Sequence, residues 1–478
     1  MRKAVLVLLF SFVITALLIG DDTGNWRELV KEKKVIQPAS DSGEWKFTPQ
    51  PFPSIESIAA QTPDEVPLYG VYHWAGEYIQ FRKDIKAVGW KAYRMGGFED
   101  EKALLMAMED GIEIMMVLQI GKSFNELRAS GKRNAYKSDE EFIQKYLQGI
   151  DEFCMKYGPG GTIFNKRPDL AKNPVRYIEI WNEPNFQYMI AEEPDRKKVQ
   201  KERDTLYAKL LKAAGAFVKK KYPKIMVVGF GAGGAAFDDR RFIGNVHAID
   251  PSIGNYYDIL STHPYTRTPP MADKINSWGT YSVTVGWKAI QDILAKYGYS
   301  NKPIWYTEVG WPITTKDGGN FKDRPDSFSA MSAAACVTKM YILAVRLGVK
   351  RVHIMSITDA DNYNSGFFNR KDGEWRPSAY AAQQLIGLLP KPRIQQAVAE
   401  ETGGLYAYLF KSDWTGKYSK EVIVAWQEQK SGELSIAVPA GRKVLKLLNM
   451  LGGEEKFSVN GNKVQFAGGP FPSYLVLE

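Results

Sequence analysis

The chain has 478 residues, 44% of them hydrophobic and 13% aromatic, enough to bury large cores and more than one small domain needs. Its 63 Lys and Arg against 54 Asp and Glu give a formal charge of +9. Those charges are interspersed along helical stretches, as on a solvated surface, so the excess does not argue for a nucleic-acid partner. Two cysteines and four histidines, with no HxxxH or CxxC spacing, argue against a zinc site.

Residues 1–20 begin with Arg2 and Lys3, run through an apolar stretch from 4 to 20, and give way to Asp21 and Asp22. This order of charge, apolar residues and acids is that of a secretory signal, the alternative being an uncleaved membrane anchor. Either way the rest of the chain is expected to be exported, to the periplasm or the extracellular space. No later apolar run reaches the roughly 20 residues that cross a bilayer, so membrane contact is expected only through this first segment. Residues 21–67, with their prolines and a lone strand-like run at 44–47, read as an extension wrapping one of two domains.

From residue 68, short β-branched or aromatic runs alternate with longer amphipathic stretches. Eight such runs, 68–74, 90–95, 112–118, 176–181, 225–230, 257–262, 303–307 and 351–357, predict eight strands. Between them, stretches such as 140–157 and 204–222 carry apolar residues at three- and four-residue spacing and predict helices. Cys154 and Cys336 fall inside such stretches and read as buried thiols rather than as a disulfide. The alternation predicts an α/β fold, a (β/α)8 TIM barrel, over 68–393. After the Pro-containing stretch 389–393 the pattern changes to short strands at 405–410, 421–426, 433–438, 443–448 and 474–477. Thr415-Gly416, Gly452-Gly453 and Asn460-Gly461 supply turns among them. This predicts a small antiparallel β-sandwich over 394–478.

In such a barrel the reactive groups sit just past the C-terminal ends of the strands. Strand four ends in Trp181-Asn182-Glu183-Pro184-Asn185 and strand seven in Tyr306-Thr307-Glu308-Val309-Gly310-Trp311-Pro312, which places two glutamates 125 residues apart in sequence. Glycosidic cleavage needs two carboxyls on separate strands, one to protonate the leaving oxygen and one to attack the anomeric carbon from the opposite face. Strands three apart can hold them about 5 Å from each other, the separation that retention of configuration requires. Glu183 is the expected acid, its pKa raised by a less solvated site and by the charge of Glu308. Glu308 is the expected ionised nucleophile, with Arg94 at strand two and Tyr265 after strand six to hold its charge. Plainer readings stand beside these. Glu183 can cap a helix, Arg94 can pair with Glu179, and His263 either braces Glu183 or is a satisfied core histidine. Trp74, Trp311 and Trp375 either stack on sugar faces or pack in the core.

The strings WNEPN and TEVGWP resemble those of clan A retaining glycoside hydrolases. Within that clan the chain is most similar to glycoside hydrolase family 39 and related (β/α)8 glycosidases, a group that includes β-xylosidases, α-L-iduronidases and bacterial exopolysaccharide glycosidases. The resemblance covers roughly 68–389. It implies hydrolysis of O-glycosidic bonds in a poly- or oligosaccharide with no cofactor and no metal. It assigns acid/base to Glu183, nucleophile to Glu308, support of that nucleophile to Arg94 and Tyr265, and to Asn182 a hydrogen bond to the sugar 2-hydroxyl.

The chain departs from the clan pattern in two places. Ile357-Thr358-Asp359 lacks the tryptophan that many members use as a floor, a role open to Trp311 or Trp375, and Gln119 stands where many have a histidine. The sugar therefore stays open, and the long loops 122–138 and 266–282 are the expected cleft walls. Transglycosylation by the same site and a non-catalytic carbohydrate-binding barrel are the competing readings. The second would be free to lose either glutamate. An exported solute-binding protein would need two similar α/β lobes instead of an all-β end.

Overall fold

A computed structural model describes residues 25–38, 45–46, 51–59, 68–96, 100–118, 136–186, 196–234, 238–266, 268–270, 273–274, 282–360, 362–400, 404–412 and 421–478. The 1–20 segment, Gln119, Thr415-Gly416 and most of the loops 122–138 and 266–282 lie outside these residues.

Eight parallel strands close into a barrel: β1 (Tyr69–Trp74), β2 (Ala92–Gly96), β3 (Glu113–Leu118), β4 (Tyr177–Ile180), β5 (Met226–Gly233), β6 (Ile259–His263), β7 (Ile304–Val309) and β8 (Arg351–Met355), with β8 pairing back on β1. Each overlaps a run read from the sequence. The helices between them are α1 (Ala75–Val88), α2 (Glu101–Glu109), α3 (Asp139–Tyr157), α4 (Arg196–Lys221), α5 (Asp238–Ile249), α6 (Val283–Lys296), α7 (Ala330–Arg346) and α8 (Pro377–Leu388). Helix α3 shows why these segments coil. Ser138 caps it by accepting from the Glu141 N–H at 3.2 Å, and three acids occupy its first turn, where the helix dipole favours negative charge. Its buried stripe of Phe142, Tyr146, Ile150, Phe153 and Tyr157 recurs every three or four residues. Cys154 and Cys336 are both buried and free.

The chain ends in two antiparallel sheets. One has six strands, in the order β9 (Pro392–Glu400), β10 (Leu405–Ser412), β11 (Glu421–Gln427), β17 (Ser473–Leu477), β13 (Val444–Asn449) and β14 (Glu454–Glu455). The other has three, β12 (Gly432–Ala437), β16 (Lys463–Gly468) and β15 (Ser458–Asn460). Side chains alternate across the larger sheet. Ala407, Leu409, Ile423, Ala425, Leu475 and Leu477 meet Leu434, Ile436, Val464 and Phe466 of the smaller sheet, forming the sandwich core. Tyr406, Tyr408, Phe410, Val422, Val424, Trp426 and Tyr474 point the other way and join the core of the barrel. Burying each large side chain is worth about 1.5–3 kcal/mol, so the sheet face and the barrel stabilise each other. Helix α7, sandwiched between them, is buried almost all round, and its Lys339 reaches across to Glu428 at 2.7 Å.

Strands β9, β14, β15 and β16 are additional to those read from the sequence. The longest, β9, is an edge strand with two register shifts in which Ile394 is the one deeply buried residue, so it lacks the alternation that marks its neighbours. The N-terminal extension touches both domains, where contact with one was expected. From its helix Trp26–Lys31, the Trp26 indole donates to the Asp317 carbonyl at 3.2 Å and Arg27 pairs with Glu374 at 2.7 Å. Farther on, the Asn449 amide donates to the Lys33 carbonyl at 2.9 Å, and Gln37 both donates to and accepts from the Phe471 backbone. Among the described residues no helix is long and apolar enough to cross a membrane.

Candidate active site

Glu308 lies near the C-terminal end of β7, and Glu183 lies three residues past the end of β4. One oxygen of each carboxyl and one ring nitrogen of His263 all fall within 4.8 Å of one another. The Tyr265 hydroxyl donates to Glu308 Oε1 at 2.6 Å, and Arg94 Nη1 donates to Glu308 Oε2 at 2.8 Å. Arg94 is fully buried and spends its other donors on Glu179 Oε2, at 2.7 Å from Nε, and on Asn182 Oδ1, at 2.5 Å from Nη2. Arg94 therefore pairs both with the buried Glu179 and with the glutamate at the mouth. Its guanidinium also lies 4.4 Å over the Tyr72 ring. His263, whose role was open between brace and core residue, has Nδ1 at 3.1 Å from Glu183 Oε1 and 3.9 Å from Glu308 Oε2.

Burial is the largest influence on Glu308 and pushes its pKa above the ordinary carboxylate range, a direction reinforced by Glu183; His263, Arg94 and Tyr265 pull the other way. Burial likewise lowers His263 to about 4, with the Arg94 charge adding to the effect, so the ring is neutral near pH 7. Tyr265 is raised by burial and by Glu308, stays protonated, and so remains a donor. For Arg94 burial disfavours the charge, but Glu179 and Glu308 more than offset it.

Glu183, His263 and Glu308 offer three donor atoms close enough for a metal ion. A cation there would face the fixed charge of Arg94, and Arg94 and Tyr265 already bond both Glu308 oxygens. The donor set is thus better matched to a hydrogen-bonded carboxyl pair than to a metal.

Of the aromatic candidates, Trp74 is half-buried at the end of β1, its ring against Gly96 at the end of β2, where a Cβ would stand 3.0 Å from it. Trp311 is 2% exposed, and its indole donates to Thr266 Oγ1 at 3.2 Å. Its enclosure fits the core-packing reading of Trp311, one of the two the sequence left open. Its bond falls beside Tyr265 and braces that loop. Trp375 donates to Asp84 of α1 at 2.7 Å and packs on Phe368 and Tyr380, which places it in the outer helical layer. Past β8, where a floor tryptophan is common in the clan, Asp359 is buried in an ion pair with Arg376, and Asn320 donates to it at 2.7 Å. Met355, the last residue of β8, brings its sulfur to 3.0 Å from the Tyr265 hydroxyl.

Reading the sequence for chemistry missed the glycines of β5. Gly231 adopts φ +48°, and its carbonyl accepts from the Glu183 N–H at 2.9 Å. A Cβ on Gly233 would stand 2.7 Å from Glu183 Oε1 and would strike the Phe186 ring. Asn185 was quoted in the strand-four string but given no role, and it bonds Gly233 twice. The signal was the glycine-dense string Gly229-Phe230-Gly231-Ala232-Gly233-Gly234, since glycine inside a strand marks a bulge or a close approach.

No protein-family model and no curated protein matches the chain. Solved structures do. A family 39 glycoside hydrolase from the gut symbiont Bacteroides cellulosilyticus aligns over 87% of this chain and 81% of its own at 20% identity, with a TM-score of 0.63. A family 51 α-L-arabinofuranosidase from Bifidobacterium longum aligns over 86% and 96% at 12% identity, with a TM-score of 0.57. A monomeric β-xylosidase from Caulobacter crescentus aligns over 90% and 98% at 14% identity, with a TM-score of 0.56. At these identities the shared property is the fold, an eight-stranded parallel barrel followed by antiparallel sheets.

Proposed function

We propose that this protein is a retaining glycoside hydrolase acting on O-glycosidic bonds of a poly- or oligosaccharide. The observation that carries the proposal is the approach of the two carboxyls, whose nearest oxygens fall within 4.8 Å at the C-terminal mouth of the barrel. Retaining enzymes hold these groups about 5–5.5 Å apart, whereas inverting ones leave about 6.5–9.5 Å for a water. In the first step the Glu308 carboxylate bonds to the anomeric carbon as the glycosidic C–O bond breaks, and the Glu183 proton passes to the departing oxygen. In the second step Glu183 takes a proton from water, whose oxygen displaces Glu308 and restores the starting configuration. Arg94 and Tyr265 favour the ionised nucleophile, and His263 lies against Glu183 as a neutral partner. Trp74 is positioned to line the cleft. The fold shared with glycoside hydrolases of families 39 and 51 supports the same reading by analogy.

The test separates the two glutamates on a panel of dinitrophenyl glycosides. Glu308→Gly should lose turnover by several orders of magnitude, and azide should restore it with inverted configuration in the product. Glu183→Ala should still form the glycosyl-enzyme from the activated substrate, and azide should then give a product of retained configuration. Exchanged stereochemistry would reverse the two roles, and an inactive wild-type protein across the panel would defeat the reading.

We also propose export, on the pattern of residues 1–20. Recovery of the full-length chain from the cytoplasmic fraction alone would remove that proposal.

A further inference from the structure

The acid/base glutamate sits on a backbone that needs holding. Trp181 has φ +68° and Glu183 has φ +46°, both in the left-handed region that residues with a Cβ rarely adopt. Such residues persist where their surroundings fix them, and they collect at functional sites. Two backbone bonds fix this pair, from the Trp181 N–H to the Leu118 carbonyl at 3.1 Å and from the Glu183 N–H to the Gly231 carbonyl at 2.9 Å. Beyond Glu183 the chain turns, the Phe186 N–H donating back to the Glu183 carbonyl at 2.9 Å. Inside that turn is Asn185, 5% exposed. Its Nδ2 donates to the Gly233 carbonyl at 2.7 Å, and its Oδ1 accepts from the Gly233 N–H at 2.9 Å.

This reciprocal pair makes the turn part of β5, as one more rung on the strand's backbone. Gly233 is also the residue that leaves room for the Glu183 carboxyl. The clasp and the carboxyl therefore meet at one point. By contrast Glu308 is held from elsewhere, by Arg94 and Tyr265.

We infer that Asn185 is a positioning residue for proton donation: its clasp on Gly233 keeps the Glu183 carboxyl against His263 and within reach of the leaving oxygen. The inference rests on Glu183 being the acid. It predicts a selective defect, because protonation of the leaving group depends on the clasp and attack by Glu308 does not. Positional errors of about 1 Å cost on the order of 100-fold in rate.

The experiment compares dinitrophenyl glycosides, whose leaving group departs without a proton, with phenyl glycosides of the same sugar, in wild type, Asn185→Ala, Asn185→Asp and Glu183→Ala. Asn185→Ala should lose on the order of 100-fold in kcat/KM on the phenyl substrate and much less on the dinitrophenyl one. Asn185→Asp retains the bond from the Gly233 N–H but loses the donor, and should fall between. Retained dinitrophenyl activity also shows that the site is folded. Equal losses on both substrates, or no loss on either, would overturn the inference. Should Asn185→Ala give no soluble protein, Asn185→Asp decides by the same two outcomes. Glu183→Ala separates the failures. If it shows no leaving-group selectivity the acid assignment falls and takes the clasp with it, whereas if it is selective and the Asn185 variants are not, the clasp alone falls.

Discussion

Two arginines are buried inside the barrel, one toward each end, and both combine a guanidinium, an aromatic face and a carboxylate. At the N-terminal end Arg351 opens β8, lies 4.1 Å over the Trp305 ring and 5.1 Å over that of Tyr177, and pairs with Glu113, the first residue of β3. Around it Met115, Tyr177, Val228, Ile259 and Trp305 form a closed apolar cluster. Toward the C-terminal end Arg94 lies over Tyr72 and divides its donors among Glu179, Asn182 and Glu308. The difference lies in the carboxylates. Glu113 is one acid at the rim of a plug, whereas Arg94 serves an acid with no exposure and a second, Glu308, whose side chain stays 10% exposed and faces Glu183. Arg94 thus bridges a fully buried acid and one that faces Glu183, a geometry that suits the planar fork of a guanidinium.

Exchanging each arginine for lysine tests that contrast. An ammonium retains the charge but cannot span three acceptors in fixed directions. Arg94→Lys should lower kcat/KM by on the order of 10²–10³, as removal of a preorganised electrostatic contact does. Arg351→Lys should leave turnover per folded molecule unchanged and lower the melting temperature by a few degrees. Steady-state kinetics with active-site titration, run beside thermal unfolding, measure both. Matching losses of activity at the two positions would erase the distinction between plug and site.

How much of this was legible in sequence follows from the same physics. The barrel strands are buried on both faces and bounded by turn residues, so each run stood out. The glutamates were legible because each lies at or just past the end of a strand that could be counted. The fork on Arg94 was half legible: Glu179 and Glu308 were each named as its partner, but only a closed barrel brings strands two, four and seven onto one guanidinium. The two readings of Trp311 could not be separated in sequence, because a string cannot say how far a ring is covered. Strand β9 was missed because an edge strand with bulges shows no two-residue rhythm. Asn185 and Gly233 were invisible as a pair, since they act through backbone groups 48 residues apart in sequence.

The smallest expected effect concerns the space between the two arginines. His353 follows Arg351 by two residues on β8, and its ring lies so near Gly70 that a Cβ there would stand 2.5 Å away. Burial drives its pKa well below the usual histidine value, and the charges of Arg351 and Arg94 drive it further. His263 near the mouth is lowered to about 4. His247, stacked on Phe230 and bonded to the Ile243 carbonyl, is lowered by burial too. In the unfolded chain each would titrate near its ordinary value of about 6.5. Below that pH the unfolded chain takes up protons that the folded one refuses, so the slope of stability with pH is positive and stability drains as pH falls. For His263 the loss runs from about 6.5 to about 4, below which the folded ring protonates as well and the loss levels off. Glu308 acts with the opposite sign, because a carboxyl raised in the fold takes its proton earlier than it would in the unfolded chain. Since carboxylates titrate over the same range, the measurement is a difference. Followed from pH 7 to pH 4, the melting temperature of His353→Leu should rise relative to that of the wild type on acidification, because the variant no longer carries a ring that the fold keeps neutral. Parallel curves would mean that His353 accepts a proton inside the barrel, and that the space between Arg351 and Arg94 tolerates a third positive charge.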